Sequence, residues 1–164
     1  MTVRRARTGD IRAIASLVDT YAGDRILLGK ERVTLYEDVQ EFRVAETGDG
    51  TIIGCGALHV MWEDLAEVRT LAVDPAYRRH GVGHRLVEAL IGQARDLGVR
   101  RLFCLTFEVR FFTRHGFQVI DGTPVEPAVY AELLRSLDEG VAEFLDLARV
   151  KPNTLGNTRM LREL

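Results

Sequence analysis

The run Leu71-Ala72-Val73-Asp74-Pro75-Ala76-Tyr77-Arg78-Arg79-His80-Gly81-Val82-Gly83-His84 gathers residues suited to holding an anion. It reads as a strand, a tight turn, a basic loop with two glycines, and the start of a long helix. The first-turn amides of a helix have no intrahelical acceptors and point outward together. The helix dipole adds partial positive charge at the same end. Glycines let a ligand approach the backbone closely, so the arrangement suits a pyrophosphate. Arg78, Arg79 and His80 add charge beside it. A Rossmann fingerprint would need glycine where Leu86 stands. A P-loop would need a Gly-Lys-Ser/Thr tripeptide, which does not occur.

Other reactive residue types form no second pattern. His59, His80, His84 and His115 share no metal-ligand spacing, and no metal is expected. Cys55 and Cys104 make neither a zinc pattern nor a disulfide framework and read as buried thiols.

The elements that must position the loop are legible from periodicity. Thr2 to Arg7 reads as an opening strand. Thr8-Gly9-Asp10 caps a helix whose stripe is Ile11, Ile14, Ala15, Leu17 and Val18, ended by Gly23. Ile26 to Lys30 reads as a loop and Thr34 to Gln40 as a short helix. Phe42 to Glu46, Thr51 to Trp62 and Glu67 to Val73 form an antiparallel meander, with turns at Gly48-Asp49-Gly50 and Glu63-Asp64. A long helix follows, with the stripe Val82, Leu86, Leu90, Ala94 and Leu97 and with Gly98 as its cap.

Leu102 to Thr106 is the next strand, Phe111 to His115 a short helix, and Phe117 to Ile120 another strand. Pro127 to Leu137 reads as helix, Val141 to Leu147 as helix or strand, and Thr158 to Leu164 as a terminal strand. The fold class is α/β (α+β): a mixed, mostly antiparallel sheet with helices packed on it.

The chain has 164 residues, 46% hydrophobic and 28% charged, with a formal net charge of −2. That is ordinary globular usage for one domain. It lacks the basic footprint of a nucleic-acid binder. No window approaches a membrane span and the N-terminus has no signal-peptide pattern. A cytoplasmic protein with no nucleic-acid or membrane partner is expected.

Val73-Asp74-Pro75, Tyr77-Arg78 and Gly81-Val82-Gly83 resemble the acetyl-CoA loop of the GCN5-related N-acetyltransferase (GNAT) superfamily. Phe112 to Phe117 resembles its second signature, an aromatic residue four positions before Gly-Phe, and Arg5 to Ile11 resembles the usual opening of that fold. Ile53 to Leu58, Arg101 to Thr106, Phe111 to Phe117 and Asn157 to Leu161 resemble, more narrowly, the catalytic domain of amino-acid N-acetyltransferases. These are the N-acetylglutamate synthases of arginine biosynthesis, here in a short, stand-alone form similar to that of actinobacteria. The longer synthases carry an amino-acid-kinase-like domain, for which this length leaves no room.

The resemblance implies a single GNAT domain over residues 1–164. It transfers acetyl from acetyl-CoA to the α-amine of L-glutamate or L-glutamine. Leu71, Ala72, Val73, Arg78, Arg79, His80, Gly81, Val82, Gly83 and His84 would hold the coenzyme. Glu67 takes the place of a water-activating general base; an exposed strand-end carboxylate is the plainer reading. The superfamily's tyrosine acid is replaced by Phe112, and Thr106 stands where the synthases keep a hydroxyl near the sulfur. Lys30, Arg69, Thr70 and Thr158 would meet the acceptor, Thr70 through its backbone. Arg69 would share a face with Glu67 and Leu71, and could grip a carboxylate or pair with Glu67.

The family has a basic residue two positions before the hydroxyl residue of its last strand; here that position is Gly156. The loss of this charge favours a neutral acceptor side chain. The aromatic group Phe103, Phe107, Phe111 and Phe112 reads as core around the coenzyme. A homodimer is compatible with the sequence. A non-catalytic acetyl-CoA sensor and an acetyltransferase for protein N-termini or lysines are the competing functions.

Overall fold

Strand β1 (Thr2–Arg5) stops two residues before the expected end because the chain turns to satisfy Asp10. The Asp10 carboxylate accepts from the Arg7 backbone N–H at 2.7 Å and pairs with Arg4 at 2.7 Å. Residues 6–10 are thereby committed to a 3₁₀ turn at Thr8–Asp10. These contacts come from a computed structural model, in which residues 1–24, 27 and 29–164 are described. Ile26 and Leu28 of the expected loop lie outside them. The contacts divide into two compact units, Met1–His59 with Val68–Gly98, and Val60–Glu67 with Val99–Leu164.

In the first unit β1 pairs antiparallel with β2 (Phe42–Glu46), and β2 pairs antiparallel with β3 (Ile52–Trp62). Helix α1 (Ile11–Ala22) buries Ile11, Ile14, Leu17, Val18 and Tyr21, a stripe set by its 3.6-residue period. This stripe packs with Leu35 of the short helix α2 (Arg32–Glu37) and with Phe42, Val44, Cys55 and Ala57 of the sheet. Helix α2 covers only part of the expected segment, and Val39–Glu41 closes as a 3₁₀ turn. Strand β4 (Leu65–Val73) leads to α3 (Val82–Asp96), which places Val82 and Leu86 against Ala45 and Ile53. Leu97 lies past the last turn of α3 and is exposed, so it does not extend the stripe.

Helix α3 approaches β3 closely at Gly54. A Cβ there would meet Val82 Cγ1 at 2.9 Å, Leu86 Cδ1 at 3.0 Å and the Ala72 carbonyl at 3.3 Å. Gly54→Val is therefore expected to lower unfolding stability by ~1–3 kcal/mol through overpacking. Chemical denaturation measures it. An unchanged midpoint would mean that α3 does not bear on β3 here.

In the second unit β5 (Arg101–Thr106) runs parallel to the start of β4, pairing Leu65, Ala66 and Glu67 with Arg101, Leu102 and Phe103. Strand β7 (Thr158–Glu163) pairs antiparallel along the whole of β5, and β6 (Gln118–Val119) pairs with β7. The strand order is β1-β2-β3-β4-β5-β7-β6, a seven-stranded mixed sheet in which β3 and β4 run through both units.

The core of the second unit is Met61, Leu65, Phe103, Leu133, Val141, Phe144 and Leu145. Helix α4 (Val109–Arg114) precedes β6, which is shorter than expected because Phe117 turns inward, edge-on to Phe112 at 5.2 Å. Helix α5 (Pro127–Leu133) ends four residues early, and Leu137 beyond it is almost fully exposed. The ambiguous stretch Val141 to Leu147 is helical through Phe144, as α6 (Glu139–Phe144), started by the Asp138 carboxylate accepting from Val141 N–H at 2.8 Å, and leaves the helix after it. A short helix, α7 (Lys151–Thr154), leads to β7. Of the expected aromatic core, Phe103 and Phe112 are buried but Phe107 is half-exposed, since β5 ends at Thr106. No described helix is long and apolar enough to cross a membrane.

Candidate active site

The run from Leu71 to His84 lies in the first unit. The Asp74 carboxylate accepts from Ala76 N–H at 2.8 Å, and the Asp74 carbonyl accepts from Tyr77 N–H at 2.8 Å, so a 3₁₀ turn at Pro75–Tyr77 ends the strand. Beyond it Arg79 (φ +66°) and Gly81 (φ +77°) both adopt left-handed backbone. Arg78 is extended (φ −59°, ψ 145°) before the left-handed Arg79, and His80 N–H donates to the Tyr77 carbonyl at 3.4 Å, a turn of the type II pattern that leads through Gly81 into α3. The first helical bond of α3 is Arg85 N–H to the Gly81 carbonyl at 3.1 Å, and the Val82 and Gly83 amides precede it.

Arg78, Arg79 and His80 are exposed along this loop. His80 Nδ1 lies 2.8 Å from the Arg78 carbonyl, which can only accept, so Nδ1 carries the proton. The Val82 side chain is buried against β3, so only its backbone is available to a ligand.

Thr70 is the strained residue of β4, with φ +56° in a strand. Glu67 and Arg69 keep the spacing of one strand face. Leu71 lies beyond the left-handed residue, so plain alternation does not carry the shared face to it, a correction to the reading of Arg69. The Thr70 carbonyl accepts from the Cys55 thiol at 3.6 Å. Ala72 is buried, while Leu71 and Val73 are half-buried.

Lys30 pairs with Asp38 at 3.6 Å, and the lysine side chain is only 11% exposed. Its charge is neutralised within the first unit.

The second unit brings Glu67, Cys104, Thr106 and Thr158 onto neighbouring strands. Glu67 is 5% exposed and pairs with Phe103 in the last rung of the β4–β5 ladder. It is therefore a buried carboxylate rather than an exposed strand-end one. Thr106 lies three residues further along β5, about 10 Å at strand rise, directly opposite Thr158. Its Oγ1 accepts from Glu108 N–H at 2.8 Å. That bond uses a lone pair and leaves the hydroxyl proton for another acceptor.

Burial and the negative charge of Glu67 push the Cys104 thiol well up, and burial pushes Cys55 up to about 12. Both thiols stay protonated near neutrality, so neither is a ready nucleophile.

Arg159, on β7, is committed to the fold. It donates to the carbonyls of Gly122 (2.9 Å), Glu143 (3.2 Å) and Phe144, and its guanidinium lies 5.0 Å from the Phe103 ring centroid. Gly156, where the family's basic residue would stand, has φ +84°, and a Cβ there would sit 3.4 Å from the Phe107 ring. A basic side chain at this position would be strained by the backbone alone.

Tyr21 was missed in the sequence. It extends the α1 stripe by three positions from Val18, the one signal that could have placed it inside. Its hydroxyl donates to the Val73 carbonyl and accepts from Arg78 Nε and Nη2 at 3.3 and 3.2 Å.

This strand–turn–loop–helix arrangement defines a class of proteins, and comparison with known proteins agrees with it. The model of the acetyltransferase (GNAT) family matches residues 16–117. The amino-acid acetyltransferase of Mycobacterium tuberculosis is 63% identical over 161 residues, covering 97% of this chain and 92% of that protein. The crystal structure of Rv2747 from the same organism, in complex with CoA and NLQ, superposes with a TM-score of 0.97 at 62% identity, covering 100% of this chain and 99% of that one. The N-acetylglutamate synthase of Neisseria gonorrhoeae, complexed with coenzyme A and N-acetyl-glutamate, gives a TM-score of 0.78 at 28% identity, covering 99% of this chain but 35% of that one. The chain belongs to the acetyltransferase (GNAT) family.

Proposed function

We propose that the protein transfers an acetyl group from acetyl-CoA to the α-amine of glutamate or glutamine, as one catalytic domain over residues 1–164. The observation that carries this reading is the loop from Arg78 to Gly83, whose left-handed residues precede the first turn of α3. The coenzyme pyrophosphate fits its amides and arginines. Complexes of the two structural relatives with CoA support that ligand.

An α-amine is largely protonated near neutral pH. The buried Glu67 carboxylate takes its proton, directly or through a water. The nitrogen lone pair then attacks the thioester carbonyl, the N–C bond forms and the C–S bond breaks. The attacking nitrogen, then cationic, releases its second N–H proton to water, and sulfur leaves as thiolate and takes a proton from solvent, directly or relayed through the Thr106 hydroxyl, which regains one from solvent. The raised thiol pKa values of Cys55 and Cys104 favour this direct transfer over an acyl-enzyme on either cysteine. Free buried cysteines agree with a cytoplasmic setting.

Three described positions argue against a charged acceptor side chain. Lys30 is paired with Asp38, Arg159 is held by carbonyls, and Gly156 carries no side chain. A buried carboxylate short of partners is costly, whereas an amide needs only hydrogen bonds. Steady-state assays on a panel of amino acids test the reading. Glutamine is expected to react with kcat/KM at least comparable to that of glutamate. A glutamate preference of roughly a hundredfold would overturn the charge argument. Absence of turnover with every amino acid would overturn acetyl transfer to this class of acceptor.

A further inference from the structure

We propose that Tyr21, on α1, is a positioning residue for acetyl-CoA that acts by presetting Arg78; this rests on the reading of the Arg78–Gly83 loop as the coenzyme site. Arg78 is exposed, and an exposed arginine ordinarily samples many rotamers that binding must freeze. Here it is held. Its Nε and Nη2 both donate to the Tyr21 hydroxyl, at 3.3 and 3.2 Å, and its guanidinium carbon lies 5.4 Å from the Tyr21 ring centroid. The same hydroxyl donates its proton to the carbonyl of Val73, the last residue of β4.

The hydroxyl has one proton and two lone pairs, and this geometry engages its proton and its acceptor face together. Tyr21 itself is 9% exposed and locked in the α1 stripe beside Val18 and Leu17. A rigid helix thus fixes two points of the site at once: the strand end before the turn and the first cation of the loop. The Tyr21 hydroxyl is neutral, so these bonds orient the guanidinium and leave its charge available to a phosphate. Ordering a charged side chain before the ligand arrives lowers the cost of binding.

A double-substitution cycle on the full chain tests this, with acetyl-CoA affinity read by calorimetric titration. Tyr21→Phe keeps the ring and removes the hydroxyl. It is expected to weaken acetyl-CoA binding about two- to tenfold, the worth of one immobilised side chain. In an Arg78→Ala background the same change is expected to shift affinity by less than about twofold, because the two residues act as a unit. Equal losses in both backgrounds would show that Tyr21 supports the fold generally and would overturn the proposal, as would no loss in the single variant. Arg78→Lys gives a second reading independent of Tyr21 packing. It keeps the charge but not the two-donor grip, and wild-type affinity there would also overturn the proposal. Failure of the unaltered protein to bind acetyl-CoA would instead remove the coenzyme reading on which the proposal rests.

Discussion

Glu67→Gln is expected to lower turnover about 10²–10⁴-fold, the usual cost of losing a general base, while acetyl-CoA still binds. The amide has the same size and shape as the carboxylate but cannot accept the amine's proton. Glu67 is buried, so its replacement by any smaller residue would add a cavity to the lost chemistry; glutamine avoids that. The loss should shrink as pH rises, because more of the acceptor amine is then already neutral. Single-turnover rates across a pH series, paired with a coenzyme titration, make the measurement. Near-wild-type turnover at every pH would remove Glu67 from the role of base. Glu67 pairs with Phe103 in the ladder and its charge reaches the Cys104 thiol from the neighbouring strand.

Arg159→Met is expected to cost ~3–5 kcal/mol of unfolding stability and to leave the ratio of glutamate to glutamine turnover unchanged. Each hydrogen bond from a charged donor contributes ~1.5–3 kcal/mol. Arg159 makes such bonds to three carbonyls, two of them at the C-terminal end of α6, where a cation also complements the negative end of the helix dipole. Burial lowers the guanidinium pKa, yet the group remains charged. Methionine would retain some of the packing on Phe103 and Phe144 but leave the carbonyls to water. Thermal unfolding and paired kinetics separate the roles. A stable variant with raised KM for glutamate would assign Arg159 to the acceptor instead.

Several features were readable before any coordinates were known because they depend on local rules. The α1 and α3 stripes follow from helical periodicity, and both helices bury the residues expected of them, apart from Ala15, which is partly buried, and Leu97, which is exposed. The turn at Asp74-Pro75 and the glycines before α3 follow from backbone sterics, which act within a few residues. The last third was harder to read because its elements are short. Helix α6 has six residues, too few for periodicity to separate helix from strand, and its cap at Asp138 is what settles it.

Residue types and their order along the chain were enough to establish the family resemblance, the pattern of a basic loop with two glycines before a helix, and the glycine at position 156. Those facts concern neighbours in sequence, and motif spacing preserves them. The burial of Glu67, the Thr106–Thr158 pairing, the neutralisation of Lys30 by Asp38 and the grip of Tyr21 on Arg78 join residues from distant parts of the chain. Whether a cation is free to meet a substrate depends on which anion or carbonyl the fold brings beside it. No local rule fixes that partner, because strand register and helix packing create it. Lys30 is available on the sequence alone and is engaged in the fold, as is Arg159.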